Sequence, residues 1–436
     1  MNFSETEIYL YSLGNEVSAM KLGLENIRKL LTALGNPQNN YLKVQVAGTN
    51  GKGSVCAFLD SICNRAGVKT GTFTSPHLVS ITERIRIDTR DISEDRFAKH
   101  ATVVRETAEN MLAKGDLEYL PTFFEQVTAI ALVAFADAKV ELAILETGLG
   151  GRLDATTAAN AEIAAITRID LDHQEYLGET IEEIAAEKAA IIADQTECVV
   201  IGEQTDSVMA LLKERCHEVG IAPFSEQGYS AWTVSSAEGN LVNIDLTLGI
   251  YQQAELGLKG RHQIENAQTA INLAQALIYE FVIFPFDDKE YYVVEGLRMA
   301  KHPGRLEYRG KYLFDGAHNI GGAKALAEYL YEFEKRQITL VFGAMREKNV
   351  TEILDTLAPL VERIVFTEPS NTRSLSYVEI LDHLPAEISR RRTFATDAVV
   401  NAIDIAETIT PDGDIILVTG SLYLVGEVKK ILQSQI

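Results

Sequence analysis

Val44 to Ser54 reads V-Q-V-A-G-T-N-G-K-G-S. Its β-branched start gives way to small residues and then to Val55, Phe58, Leu59 and Ile62, apolar positions at helical spacing. The pattern predicts strand, glycine-rich loop and helix, the layout of a phosphate cradle. Gly48, Gly51 and Gly53 permit close backbone approach, so N–H groups from Thr49 and Asn50 through the helix start can converge on an anion, with Lys52 and Ser54 beside it. The usual spacing G-x-x-x-x-G-K-[ST] is not met. The first glycine lies too near the second, and Gly53 separates Lys52 from Ser54. Taken alone, the loop fits an ordinary strand-to-helix turn as well as a cradle.

The 436 residues exceed one core and suit two domains or three. With 46% hydrophobic and 23% charged residues and no long apolar run, the composition is that of a soluble globular protein. The start M-N-F-S-E-T-E has no basic segment followed by an apolar one, so the expectation is a cytoplasmic chain without membrane partners. The four cysteines, Cys56, Cys63, Cys198 and Cys216, lack metal or redox spacing and read as buried thiols of a reducing compartment. A formal charge of −22 argues against nucleic acid. Anionic substrates must then be met by local cations, metal ions and helix ends.

Apolar spacing over Glu16–Leu34, closed by Gly35 and Pro37, predicts one helix before the first strand. Strands follow at Val68–Phe73, Arg84–Ile87, Leu142–Leu145, Ile163–Ile166 and Cys198–Ile201, and helices open at Ser93, at Thr122 and over Thr180–Ile192. Such alternation predicts a doubly wound parallel sheet whose ligands gather at strand ends. Tyr229–Leu258 reads as a local antiparallel patch and Gly260–Ile278 as a helix. The H-P-G at His302 marks a boundary, giving domains 1–297 and 298–436. Beyond it a smaller Rossmann-like α/β pattern restarts with Tyr312–Phe314, a helix over Gly322–Phe333, strands at Ile338–Phe342, Ile364–Phe366 and Asp414–Val418, and a last helix to Leu432.

Polar clusters fall at these strand ends. Ser75, in T-S-P-H, is either a turn residue or a metal ligand. Glu146 ends an apolar strand, where an unpaired carboxylate is costly, and so asks for a cation. His173, in D-L-D-H, is either satisfied structurally or a ligand. Together the three describe a site for one or two magnesium ions bridging phosphate oxygens. Lys188, in E-E-I-A-A-E-K, reads from the residues alone as a solvated, salt-bridged lysine. In the second domain, F-D-G-A-H-N at Phe314–Asn319 and Arg305 after H-P-G face an interdomain cleft.

These motifs resemble those of the folylpolyglutamate synthase and dihydrofolate synthase family within the Mur-ligase superfamily. The resemblance spans nearly the whole chain: G-T-N-G-K-G-S at Gly48, T-S-P-H-L at Thr74, E-R-I-R-I at Glu83, G-L-G-G-R-L-D-A-T at Gly148, D-H-x-x-x-L-G at Asp172, E-K-A at Glu187, G-R-x-Q-x-x-N-A at Gly260, H-P-G-R at His302, D-G-A-H-N at Asp315 and G-S-L-Y-L-V-G-E-V at Gly420. It implies Lys52 and Ser54 on phosphate, Ser75, Glu146 and His173 on magnesium, and Lys188 as a carbamate serving a second ion. It further implies Asn266 and Arg305 on ATP, Asp315 on the ribose, and His318 on ATP or the incoming glutamate. Thr122, Phe124 and Asp154 fall where the family holds the pterin, an aromatic ring and a carboxylate suiting a flat heterocycle. Thr157, Ala190 and Glu347 depart from the family's usual Asn, Gly and Asp.

The implied activity is ligation of L-glutamate to dihydropteroate and to the tail of reduced folates through an acyl phosphate, by a monomer. The implied alternative is a polyglutamate synthase alone. A cell-wall Mur ligase would place a nucleotide-sugar domain before the loop, for which the loop comes too early. A nucleotide switch would hydrolyse nucleotide indifferently to glutamate and pterin.

Overall fold

The computed structural model describes all residues except 15–22, 225–231, 236–240, 246–250, 285–287, 332–336, 386–387, 389–391 and 435–436. Strands β1 (Leu42–Ala47), β2 (Thr70–Phe73), β3 (Ile85–Ile87), β4 (Arg90–Asp91), β5 (Leu142–Glu146), β6 (Ile163–Ile166) and β7 (Cys198–Ile201) form one sheet in the order β4-β3-β2-β5-β1-β6-β7. Strands β2, β5, β1, β6 and β7 run parallel, and β3 and β4 add an antiparallel edge. Strands covered on both faces need apolar residues at nearly every position, and β5, β6 and β7 are buried throughout. In register, Val46 stands beside Glu146 and Ala47 beside Ile166. The loops after three neighbouring strands therefore open at one edge of the sheet.

Val44, Val46, Leu142 and Ile144 turn to a layer built from the helices Lys52–Arg65, His262–Tyr279 and Lys289–Met299. Ala143 and Leu145 turn to the opposite layer, with Ile27, Phe97, Val127 and Ile130. All four cysteines are buried, and none is in a disulfide. Strands β8 (Trp232–Ser235), β9 (Leu241–Asp245) and β10 (Tyr251–Glu255) make a three-stranded antiparallel sheet in the patch read over Tyr229–Leu258, part of which lies outside the described residues.

The second sheet holds β11 (Glu307–Arg309), β12 (Tyr312–Phe314), β13 (Ile338–Phe342), β14 (Arg363–Phe366), β15 (Thr393–Ala395) and β16 (Ile415–Thr419) in the order β11-β12-β16-β13-β14-β15. All but β11 run parallel. Its two faces carry separate apolar layers, Leu326, Ile353 and Leu354 on one, Ala402, Ile403 and Val428 on the other. Two doubly wound α/β units result. Among the described residues, no helix is long and apolar enough to cross a membrane.

The N-terminal reading needs correction. The helix there spans Glu25–Ala33, because Gly23 lies at φ +82°, outside helical backbone; residues 15–22 of the expected Glu16–Leu34 helix lie outside the described set. A helix Phe3–Ser12 precedes it, opened by the Asn2/Glu5 capping box. Residues 332–333 of the expected Gly322–Phe333 helix also lie outside the described residues, which give Ile320–Leu330. The helices Asp206–Val219 and Lys289–Met299 were not anticipated.

Lys289–Met299 crosses the phosphate-loop helix at Gly296, where a Cβ would fall 2.4 Å from Ile62 Cα. Gly296→Ala should therefore destabilise the protein by about 1–3 kcal/mol through overpacking, although alanine favours a helix by roughly 1 kcal/mol. Urea unfolding of both proteins decides the sign.

Candidate active site

A cavity of about 830 Å³ lies between the two sheets, lined by the loop Gly48–Ser54 and by strand-end residues of both units. Ser75, Glu146, His173, Lys188, Asn266, Arg305, Asp315, His318, Thr122, Phe124 and Asp154 all line it. Residues spread over most of the chain thus meet in one space.

The loop is only in part the anion cradle expected. The N–H groups of Thr49 and Asn50 donate to Arg168 O at 2.9 and 3.1 Å, so they hold the loop to the next strand rather than pointing at a ligand. The helix Lys52–Arg65 begins after Gly51, and its first intrahelical bond is from Val55 N–H to Gly51 O. The N–H groups of Lys52, Gly53 and Ser54 precede that bond and form the anion-facing helix end. A Cβ on Gly51 (φ +89°) would fall 2.1 Å from Asn266 Oδ1, and one on Gly53 2.5 Å from His302 Nε2 and 3.5 Å from Glu146 Oε2. Glycine at these two places lets Asn266 and Glu146 close on the loop. Asn266 is fixed by donating to Gln263 Oε1 at 3.0 Å.

Lys52 Nζ donates to Gly48 O at 3.0 Å and to Thr49 O at 3.2 Å. Lys188 Nζ donates to the same Gly48 O at 2.9 Å and is 4% exposed. Burial, with the charge of Lys52 nearby, lowers the Lys188 ammonium to about 7. The solvated, salt-bridged lysine read from the residues alone is thereby overturned. The helix Ile181–Ala189 buries Ile184, Ala185 and Lys188, one face at spacing i, i+1 and i+4, while Glu182 and Glu183 point to solvent.

Glu146 is 6% exposed, and its Oε2 accepts the Ser75 N–H at 3.2 Å. Burial raises its pKa against the opposing pull of Lys52, the Ser75 N–H and Arg305. A buried carboxylate with so few donors has acceptor capacity left for a cation. His173 sits at φ +51°, and burial together with Lys348 lowers its imidazole to about 3, which leaves it neutral and able to ligate a metal. Among the described residues, no group of three or more His, Cys, Asp or Glu is placed to hold a metal ion. Ser75 and Glu146 touch each other, whereas His173 turns to Lys348, whose Nζ lies 3.4 Å from its Nε2.

Asp172, beside His173, is a residue the sequence reading missed. Lys348 Nζ lies 2.6 Å from its Oδ1, Asn319 Nδ2 donates to its Oδ2 at 3.0 Å, and His318 Nε2 lies 3.7 Å from Oδ2. Burial raises its pKa, but His318 and Lys348 outweigh that and hold the carboxyl far below its ordinary range. The signal available was the placement of Asp172 and Lys348 just beyond strands β6 and β13. On the second unit, Asp315 accepts the N–H groups of Leu306 and Ala317 at 3.0 and 2.9 Å, and Arg305 Nη1 would lie 3.0 Å from a Cβ on Gly316.

At the far wall, Thr122 caps the helix Phe123–Ala138, and the Phe124 ring packs on Gly148 and lies 5.8 Å from Phe73. Asp154 accepts the N–H groups of Gly148 and Leu149 at 2.8 and 2.9 Å, the Thr156 N–H at 3.0 Å and the Thr156 hydroxyl. Its carboxylate therefore shapes the Gly148–Leu149 backbone of the cavity wall.

This combination of a phosphate-type loop and a second α/β unit facing it across a cleft agrees with the matching family models. Residues 46–274 match the Mur ligase middle domain, and residues 304–422 match the Mur ligase glutamate ligase domain. A Bacillus subtilis dihydrofolate synthase/folylpolyglutamate synthase is 33% identical over 95% of this chain and 96% of its own. Escherichia coli FolC in complex with DHPP and ADP superposes with a TM-score of 0.85 at 28% identity, covering 100% of this chain and 98% of that one. A bifunctional folylpolyglutamate synthase/dihydrofolate synthase with Mn, AMPPNP and L-glutamate bound gives 0.81 at 27%, covering 99% and 98%. The chain belongs to the Mur ligase family and is an ATP-dependent ligase. Within that family it falls among the dihydrofolate synthases/folylpolyglutamate synthases.

Asp154→Asn would set an amide N–H₂ against N–H donors it cannot accept. It should cost about 1–3 kcal/mol in a denaturant titration, through a carboxylate that touches only its own loop.

Proposed function

We propose that this chain ligates L-glutamate to dihydropteroate and to the glutamate tail of reduced folates at the expense of ATP. The observation that carries the reading is the single cavity joining the phosphate loop, the Phe124 wall and the strand ends of the second unit. The names of the Bacillus subtilis relative and of the Mn-bound neighbour carry both activities, which favours a bifunctional enzyme over a polyglutamate synthase alone.

In this reading, Lys52, Ser54 and the helix end hold the phosphates, with Thr49 and Asn50 shaping the loop. Asn266 and Arg305 contact the nucleotide, and Asp315 its ribose. Ser75, Glu146 and His173 would hold Mg²⁺, in all two ions, as suits a hard cation that keeps few protein ligands. Such ions, when bound, neutralise charge on the transferring phosphoryl group. Thr122, Phe124 and the wall shaped by Asp154 hold the pterin, and His318 faces the incoming glutamate. The substrate carboxylate attacks the γ-phosphorus and ADP leaves. The glutamate amine then attacks the acyl carbon and phosphate leaves. Lys52 offsets the repulsion between two anions in the first step, and closure of the cleft keeps water from the acyl phosphate. Residues 1–297 carry the nucleotide and pterin, 298–436 the glutamate, in a cytoplasmic monomer with no nucleic-acid or membrane partner.

Lys188 acts as a carbamate. Its amine, lowered to about 7, has a neutral fraction available at cellular pH; that neutral amine attacks CO₂, an N–C bond forms, one proton goes to solvent, and a buried anion results.

The deciding assay incubates the protein with ATP, Mg²⁺, labelled glutamate and either dihydropteroate or tetrahydrofolate, and reads product mass. ADP release indifferent to both acceptors would sink the reading. Lys52→Ala should abolish ligation, at least 10³-fold, with an unchanged circular dichroism spectrum; unchanged turnover removes the loop from the mechanism. For Lys188, ¹³CO₂ should give a carbamate carbon resonance that strengthens as pH rises through about 7 and is absent in Lys188→Ala.

A further inference from the structure

Two kinds of contact join the units. Beside the chain crossing, Leu78 of the first unit packs on Gly304, Val425 and Gly426, where Cβ atoms on the two glycines would fall 3.1 and 2.0 Å from Leu78 atoms. At the phosphate loop the contact is ionic and buried. Asp172 and Lys348 approach to 2.6 Å with side chains each 9% exposed. Asn319 of the second unit donates through Nδ2 to both Asp172 Oδ2 and Asn50 Oδ1, each at 3.0 Å, and Asn50 in turn donates to Asp170 Oδ2 at 2.8 Å. The ring of His318 is set by Nδ1 against Gly316 O at 2.7 Å, which leaves Nε2 toward Asp172. By contrast, the interunit pair Arg261–Glu328 is 3.6 Å apart and more than half exposed on both sides. One carboxylate of the first unit thus gathers three side chains of the second.

We propose that Asp172 and Lys348 are positioning residues for ligation, a buried pair that holds the second unit closed over the phosphate loop while the acyl phosphate waits for the amine. The pair is fully formed only when the units meet. Removing Lys348 leaves the Asp172 carboxylate only Asn319 and His318 from the second unit, and removing the Asp172 charge leaves the Lys348 ammonium buried without its counter-charge; both losses are felt in the closed form, so the penalty falls on closure rather than on either unit's fold. His318 and Asn319 ride on the same contact, so the glutamate-facing side of the cleft moves with it. Position in the chain supports the coupling. Asp172 is adjacent to His173, and Asn319 touches Asn50, so the groups about the phosphates and the groups holding the second unit are the same two loops.

The inference rests on the ligase reading and is tested on the full chain with ATP, Mg²⁺, glutamate and dihydropteroate. ADP formed per amide bond is measured for wild type, Lys348→Met, Lys348→Arg and Asp172→Asn. The wild type should form about one ADP per product. Lys348→Met and Asp172→Asn should form at least five, with amide kcat down tenfold or more and the KM for ATP within threefold, because water reaches an intermediate that is still made. Lys348→Arg, which keeps the cation, should return to within threefold of wild type. Small-angle scattering with a non-hydrolysable ATP analogue should show a larger radius of gyration for Lys348→Met than for wild type. A wild type that makes no amide refutes the ligase reading, and scattering then still decides the closure. A ligating wild type with variants that stay at one ADP per product and scatter alike overturns the inference. A Lys348→Met chain that does not fold leaves the decision to Asp172→Asn, whose tight coupling would likewise overturn it.

Discussion

Two lysines share one carbonyl. Lys52 and Lys188 both donate to Gly48 O, one from the first turn of the phosphate-loop helix and the other from a helix that begins after the D-L-D-H loop. Ammonium groups repel one another, and Lys188 is buried, so the arrangement is eased when negative charge arrives or one cation is neutral. Burial of Lys188 supplies the second condition. The surrounding acids, Glu146 and Asp172, complete a site whose charges balance only with phosphate and cation present. In a chain of net charge −22, an anion is met here by local groups, the Lys52 ammonium and the helix end beside it, rather than by the field of the whole protein.

The parallel sheet produces this concentration. Strands covered on both faces gather most of their polar residues where they end, Lys43 and Gln45 of β1 being satisfied exceptions, and β1, β5 and β6 are neighbours in register. Gly48, Glu146 and the Arg168–His173 loop are therefore brought together by backbone pairing before any side chain contributes. The second sheet repeats the device from the other side, with Asp315, Lys348 and Ser421 following β12, β13 and β16.

Much of this was legible in the sequence, for physical reasons. Continuous apolar runs marked β5, β6 and β7, and the caps at Ser93, Thr122 and Thr180 marked helix starts because a side-chain oxygen there satisfies an otherwise orphaned N–H. What stayed hidden depends on partners far along the chain. Gly296 reads as a weak helix residue until Ile62 is seen against it. Lys188 reads as solvated until Gly48 O is placed beside its face. The bond between Asp172 and Lys348 spans 176 residues, which no local pattern encodes. Asp154 is a different case, since D-A-T holds two of its four donors close at hand, a carboxylate two residues before a threonine satisfying the turn that follows it, while the Gly148 and Leu149 N–H groups come from the loop before it.

The segment that joins the units is itself wedged into the site. His302 packs on Gly53, is held uncharged by burial at about 3, and is followed within three residues by Arg305 in the cavity wall. A free tether would let the second unit wander through a large volume. A tether pinned at the phosphate loop shrinks that volume and raises the second unit's effective concentration at the cleft. Return to the working arrangement is then a shorter search than it would be on a free tether.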